Sequence, residues 1–334
     1  MSSLTTPADL RAAAPGPSHQ HRHDVVVVGG GAAGLSAAVT LARSLRDVLV
    51  IDAGRPRNAP AEGAHNLLGR EGVPPLELLE AGRREALSYG AQVRPGRVTT
   101  ARRTADGFTL TLADGDTVTA RRLLLATGLV DELPDVPGVR ELWGSHVLHC
   151  PYCHGYEVRG RRIGVLGTSP NVLHQTLLLR QLSPDVTLFL HDVPEPDDEG
   201  REQLAALGVR VVRGRVRELS RDGDRLRAVV LADGSAVPVD AVAVQPTFVA
   251  RGDLYEQLGG TLTENPMGRH ITRDPAGATE LPGVWAAGNV GDLTAMVGAS
   301  AAQGVMAGAA INADLVLTGA RAAVLAGRRP GTGR

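Results

Sequence analysis

The sequence predicts an α/β fold built from two Rossmann-like dinucleotide-binding units. Three observations predict it. A strand, a glycine turn and a helix follow one another over residues 24–45 and again over 162–182. The composition is small and aliphatic, with 41 glycines and 3% aromatic residues, which suits close-packed α/β layers better than an aromatic-rich binding surface. At 334 residues the chain is too long for one small core, so two domains are expected. A net charge of −1 argues against nucleic acid or an anionic membrane as a main partner.

Residues 1–23 carry Thr5-Thr6-Pro7 and Ala14-Pro15-Gly16-Pro17, lack the apolar core of a signal peptide, and read as a disordered arm. His19, His21 and His23 could take a metal there, but a solvated tail is the expected reading. No later run has some twenty uninterrupted apolar residues, so no membrane span is expected, and the chain is expected to be cytoplasmic.

The first unit opens with the β-branched run Asp24 to Val28, expected to be a buried parallel strand. It feeds Gly29-Gly30-Gly31-Ala32-Ala33-Gly34, which fits G-x-G-x-x-G, then a helix over Leu35–Leu45 and a second strand ending at Asp52. Gly29 permits the tight turn, Gly31 lets the backbone approach a pyrophosphate, and Gly34 lets helix and strand pack closely. The helix N-terminus faces the phosphates, and Asp52 stands where a ribose diol needs an acceptor. A loop containing Asn66 follows, then an amphipathic helix from Pro75 to Tyr89. Phe108–Leu112 and Thr117–Thr119 form a hairpin around Asp114-Gly115. Leu123–Leu125 is a buried strand ending in Ala126-Thr127-Gly128.

Cys150 and Cys153 are the only cysteines, spaced as Cys-x-x-Cys, which allows a small disulfide across one helical turn. In a cytosolic chain such a pair is more often catalytic or metal-binding. His146, His149 and His154 surround it, so zinc held by both cysteines and two histidines is one alternative.

The second unit opens at Arg162–Gly167, with a helix from about Asn171 to Leu182 and a strand over Val186–Leu190. Its fingerprint is damaged: Ser169 stands where a glycine should admit a pyrophosphate, and Val172 where a small residue should let helix and strand approach. His191-Asp192 ends the next strand, with no arginine in place to grip a 2′-phosphate, although Asp192 suits the ribose of NADH. Nicotinamide binding is therefore expected to be lost or weakened. Further sheet is expected from Arg213 to Gln245, and from about Phe248 the chain returns to the first unit. There Gly288 and Asn289 end a strand, and Val297, Gly298 and Ala299 start a small-residue helix running to about Leu317.

Together these pieces resemble the low-molecular-weight thioredoxin reductase family, from about Asp24 to Leu317. The resemblance implies two Rossmann-like FAD/NAD(P)-binding domains of thioredoxin reductase type, the second inserted in the first. It places an FAD-binding domain over 24–131 and 249–318, a vestigial NAD(P)-type domain carrying the cysteine pair over 132–248, and a tail over 319–334. It also implies a homodimer. For the FAD it implies contacts from Gly29, Gly31, Ala32, Ala33, Gly34, Asp52, Asn66, Ala126, Thr127, Gly128, Gly288, Asn289, Val297, Gly298 and Ala299.

The chain departs from that family at His154, which replaces an aspartate, at Ser169, Val172 and His191-Asp192, and at Asn289 and Val297-Gly298. The form Cys-Pro-Tyr-Cys-His-Gly-Tyr-Glu is similar to a branch of FAD-dependent dithiol oxidases, nearest to the bacterial holomycin-type enzymes, which close disulfides in sulfur-containing natural products such as gliotoxin. That branch implies a small-molecule dithiol as substrate and O2 as acceptor. By the same resemblance Cys150 is the sulfur attacked by substrate and Cys153 the one nearer the flavin.

An imidazole of pKa ~6.5 is matched to a thiol of pKa ~8.5. His149 and His154 adjoin the sulfurs and are both candidates. His149 is taken as the expected base, His154 as the expected stabiliser of the Cys153 thiolate, and His146 as structural, an ordering that the pKa match alone does not set. The loops Arg55–Gly72 and Asp131–Ser145 are expected to border the substrate entrance. The alternatives are an NAD(P)H-dependent reductase of a thioredoxin-like protein and a non-catalytic redox or metal sensor.

Overall fold

The computed structural model describes residues 21–327. The first unit runs β1 (Arg22–Val28), α1 (Ala32–Arg43), β2 (Val48–Asp52), α2 (Pro75–Ser88), β3 (Gln92–Pro95), β4 (Val98–Thr104), β5 (Gly107–Leu112) and β6 (Thr117–Leu125). These strands form one sheet in the order β3-β2-β1-β6-β5-β4, with β1 parallel to both neighbours and β5 and β4 antiparallel at one side. Val26 and Val28 face one apolar cluster, Val25 and Val27 the other. Burial on both faces explains why β1 reads as an unbroken valine run rather than an alternation.

After β7 (Leu129–Glu132) come β8 (Val147–Leu148), α3 (Pro151–His154), β9 (Ile163–Leu166), α4 (Val172–Leu182), β10 (Val186–Phe189), α5 (Asp198–Ala206), β11 (Arg210–Val212), β12 (Val216–Asp222), β13 (Arg225–Leu231), β14 (Ala236–Pro238) and β15 (Ala241–Val244). Strands β11-β10-β9-β15-β8 make an all-parallel sheet, and β12-β13-β14 an antiparallel one. The chain then returns through β16 (Thr247–Ala250), α6 (Asp253–Gln257), β17 (Thr263–Asn265), β18 (Gly268–His270), β19 (Val284–Ala286) and α7 (Val297–Gly327). The outgoing β7 and returning β16 pair with each other antiparallel, and β19 joins the first sheet beside β6.

Three expectations need correction, and one element is added. The arm does not extend to residue 23: β1 begins at Arg22, opposite Thr119, and His23 is buried. His19 lies outside the described residues. The hairpin arm at Thr117 and the strand at Leu123 are one continuous strand, β6. The last helix does not stop near Leu317, so residues 319–327 are not tail. Gly319 costs a helix only about 1 kcal/mol, and the Ala, Arg, Val and Leu residues after it are adequate helix formers. Finally, α5 was not anticipated; it is capped by the Asp197 side chain, which accepts from the Gly200 N–H at 2.9 Å.

By length and composition α7 would cross a bilayer. Here its inward stripe of Ser300, Gly304, Ala307, Gly308, Ile311 and Leu315 is buried. A Cβ on Gly304 would lie 2.0 Å from the Ala33 carbonyl oxygen, so the stripe of small residues is what lets α7 lie against α1. Its polar positions are tied down, Asn312 by Arg46 at 2.7 Å and Asp314 by Arg122.

Candidate active site

At the C-terminal ends of β1, β2 and β6 the backbone forms a cradle. Gly29 sits at φ +110°, and a Cβ there would meet the Ala126 carbonyl oxygen at 2.3 Å. A Cβ on Gly34 would lie 1.9 Å from the Gly29 carbonyl oxygen, which makes it the point where α1 closes on β1. A Cβ on Gly31 would meet nothing within 4 Å, and Gly31 is the N-cap of α1 with no side chain bonded to the first N–H groups. That combination leaves donors and open space for an anionic group. Asp52 ends β2 and accepts a 2.8 Å bond from Arg83, an orienting residue on α2 that the sequence pattern did not single out.

One cavity of about 1060 Å³ joins this cradle to the cysteine pair. That is the upper end of the range for small-molecule sites. Its walls include Gly29, Gly31, Ala32, Ala33 and Asp52, then Ala126, Thr127 and Gly128, then Gly288, Asn289 and Val297. Cys150, Cys153, His149 and His154 line the same cavity. Both expected entrance loops border it, through Arg55 to His65 and through Asp131 and Trp143 to Ser145. Gly34, Gly298, Ala299 and Asn66 are not in its walls. The Asn66 amide instead donates to the Tyr152 carbonyl at 2.8 Å. His65, beside it, bonds Glu71 at 2.7 Å and approaches Glu157 at 3.6 Å. The loop after β2 thus reaches across to hold the helix that carries the cysteines. The Asn289 amide is also engaged within its own loop, donating to the carbonyls of Asp292 and Ala295 at 3.0 and 2.9 Å. The unforeseen Gln303 accepts from the Gly288 N–H at 3.0 Å.

Cys150 and Cys153 form a disulfide. Cys150 is the N-cap of α3, its Sγ accepting from the Cys153 N–H at 3.1 Å, with Pro151 at the first helical position. Cys153 is the more exposed of the two.

The two flanking histidines sit in different surroundings. His149 packs edge-on to Phe248 at 5.0 Å, and its Nε2 donates to Gln245 Oε1 at 3.2 Å. Its carbonyl accepts from Gln175 at 2.7 Å. Burial, and then the Arg57 guanidinium, push its pKa down to about 4. Arg57 itself lies 5.0 Å over the other side chain of this stack, Phe248, and makes a bidentate pair with Asp131 at 2.6 and 2.8 Å. His154 is also lowered by burial, but the carboxylates of Glu157 and Glu62 oppose the shift. Burial thus lowers both imidazoles, and carboxylates oppose the shift at each, Asp131 at His149 and Glu157 and Glu62 at His154, with His149 the more strongly lowered of the two. His146 bonds the Asp240 carbonyl at 3.1 Å, a structural use.

The His149 environment has a consequence for acid stability. Its folded pKa lies below the ordinary 6.5, so the unfolded chain takes up the proton first. The stability tied to neutral His149 is complete above about pH 6.5 and is lost as pH falls toward about 4, a contribution of up to about 3 kcal/mol. Thermal unfolding followed from pH 7 to 4 should show a steeper decline for the native chain than for His149→Gln. Equal slopes would show that His149 is not held neutral.

In the second unit, Ser169 Oγ accepts from the Asn171 N–H at 3.2 Å, and Thr168 donates to the Gln245 carbonyl at 3.0 Å. Val172 is buried in the apolar cluster under α4. The turn is therefore packed and bonded internally. One expectation here is corrected. Arg215 reaches Asp192 at 3.0 Å, so the strand end does have an arginine beside it, while Asp192 also bonds His191 at 2.9 Å. The arginine was missed because it arrives from the start of β12, not from the motif.

Comparison with known proteins agrees with this geometry. The family model described as pyridine nucleotide-disulphide oxidoreductase matches residues 23–308. The thioredoxin reductase tcpT of Claviceps purpurea is 34% identical over 88% of this chain and 94% of its own length. The thioredoxin reductase sirT of Leptosphaeria maculans is 30% identical over 86% and 93%. Among solved structures, HlmI superposes with a TM-score of 0.87 at 46% identity, covering 94% of this chain and 99% of its own.

Proposed function

We propose that this chain, which belongs to the pyridine nucleotide-disulphide oxidoreductase family, is an FAD-dependent oxidase that closes a disulfide in a small-molecule dithiol, with O2 as acceptor and H2O2 as product. The substrate class is a natural-product dithiol such as the reduced form of a dithiolopyrrolone. The observation that carries the reading is one cavity lined both by a dinucleotide cradle and by a Cys150–Cys153 disulfide. The self-bonded turn at Ser169 and the buried Val172 favour a dithiol over a nicotinamide as the source of electrons.

FAD fits the residues present. The open approach at Gly31, the α1 N-terminus and Asp52 suit its pyrophosphate and ribose, and the segments at Ala126–Gly128, Gly288 and Val297 would border the rest. When bound, it would supply a two-electron acceptor that returns those electrons to oxygen.

The chain's own residues do the thiol chemistry. A substrate thiol, deprotonated by His154, attacks Cys150 Sγ and releases Cys153 as a thiolate. The second substrate thiol attacks its partner sulfur in the mixed disulfide, releasing the Cys150 thiolate and the cyclic disulfide. Two thiols are oxidised and one protein disulfide is reduced. Glu157 and Glu62 favour the protonated His154 that forms. Asn66 holds α3 at the Tyr152 carbonyl, and His65 reaches Glu157 just after it.

Anaerobic mixing of the FAD-loaded protein with a small dithiol should bleach the flavin, and admitting air should restore it with one peroxide per dithiol. NADH and NADPH should not bleach it. In the same experiment His154→Gln should slow bleaching by about 10²–10⁴-fold, the usual range for a lost general base. Rapid bleaching by a nicotinamide would overturn the reading. It would favour the NAD(P)H-dependent thioredoxin-disulfide reductase instead, a reading for which Arg215 beside Asp192 is the supporting observation.

A further inference from the structure

We propose that His21, His23 and Asp47 form a binding site for one divalent transition-metal ion, with Zn2+ as the fitting example, at the end of the first sheet away from the cavity. Among the described residues these three side chains bring their ligand atoms within 4.8 Å of one another. Two are imidazoles and one a carboxylate, the donor set that zinc takes with a fourth position left for water.

The backbone sets this up. His21 immediately precedes β1 and His23 is its second residue, so the two side chains, two positions apart on nearly extended chain, come to the same side. Their rings meet edge-on at 4.8 Å. Asp47 immediately precedes β2, where its carbonyl accepts from the Val25 N–H at 3.2 Å and its N–H donates to Asp24 at 3.3 Å. With the backbone fixed, its carboxylate lies 2.7 Å from His21 Nε2 and 3.1 Å from His23 Nδ1. Around a tetrahedral ion with bonds of about 2.0–2.1 Å, ligand atoms stand about 3.3 Å apart. The His23 separation is close to that already, whereas the hydrogen bond from His21 at 2.7 Å must open by about 0.6 Å as the ion replaces it and the two imidazoles close on each other. The side chain of His21 is 71% exposed and has room to turn.

The local charges also suit a cation. Three arginines of β1, β6 and the turn before β2 are bonded elsewhere: Arg121 to Asp24 at 2.7 Å, Arg22 to the Asp106 carbonyl at 3.3 Å, and Arg46 to Asn312 at 2.7 Å. Six residues of strand, about 20 Å, separate His23 from the glycine turn, so the ion would lie outside the redox chemistry. It would tie the start of β1 to the start of β2 and stabilise the folded chain by mass action.

Equilibrium dialysis of Zn2+ against the FAD-loaded, disulfide-oxidised protein near neutral pH tests this. One equivalent per chain is expected, with a rise in thermal midpoint that EDTA reverses. His21→Ala removes an exposed ligand without touching the core, and should weaken binding by at least about tenfold while leaving dithiol oxidation intact. Asp47→Asn should do the same to binding. A chain carrying both Cys150→Ser and Cys153→Ser should still bind. Absent binding, unchanged binding in His21→Ala, or binding lost only with the cysteines would each overturn the assignment.

Discussion

Cys153→Ser is expected to abolish reduction of the flavin by a dithiol while FAD stays bound. A serine at 153 leaves Cys150 with no partner sulfur, so the chain has no disulfide for a substrate thiolate to open. The loss should be on the order of 10⁴-fold or more, the scale seen when a covalent nucleophile is removed, and Cys150→Ser should match it. The double variant should be no worse than either single one, because the two sulfurs act as one group. Cys153 is exposed at the cavity and Cys150 caps a four-residue helix, so neither change disturbs a core. FAD content measured after denaturation should be unchanged. Normal bleaching in Cys153→Ser would remove the pair from the mechanism; loss of FAD as well would mean that the pair is structural.

The second large effect separates two glycines of one motif. Gly34→Val places side-chain atoms where the Gly29 carbonyl oxygen already sits, 1.9 Å from an ideal Cβ. No rotamer relieves a clash with the backbone of β1's own turn. The cost should exceed about 4 kcal/mol, which belongs to the rare and severe class of overpacking. Expression as insoluble or unfolded protein is the expected result. Gly31→Val should behave differently, because a Cβ there meets nothing within 4 Å. That variant should fold, with a near-native circular dichroism spectrum, and fail to retain FAD. If both variants fold and bind FAD, the cradle is misassigned.

These two glycines also show how far the sequence could be read. Gly29, Gly31 and Gly34 could be given separate tasks from spacing alone, because strand, turn and helix are local and the motif fixes its own geometry. The same holds for the valine run of β1, the helices α1, α2 and α4, and the hairpin of β5 and β6. Each is built from residues adjacent in the chain. The cysteine pair was legible for the same reason, since its bond spans three residues. Element ends were less legible. The arm and β6 differ from expectation because strand pairing, as of Arg22 with Thr119, extends an element past its local signal, while the exposed last turns of α7 continue on helix propensity alone.

What the sequence determined by itself was the parts: an α/β chain, a dinucleotide fingerprint, a Cys-x-x-Cys among histidines and a second fingerprint that is impaired. What only the tertiary structure decided was which parts meet. Asn66 and Tyr152 are 86 residues apart, His149 and Gln245 are 96 apart, and Arg57 and Asp131 are 74 apart. No local pattern encodes such meetings. They follow from two sheets being held side by side through β7 and β16. The surroundings of His149 likewise came from burial and from Arg57 and Asp131 on other segments. A pKa is set by everything within several ångströms, and the neighbours that matter here are remote in sequence. The pairing of Asp47 with His21 and His23 is of the same kind: a tail on paper, a three-ligand cluster once β1 and β2 lie side by side.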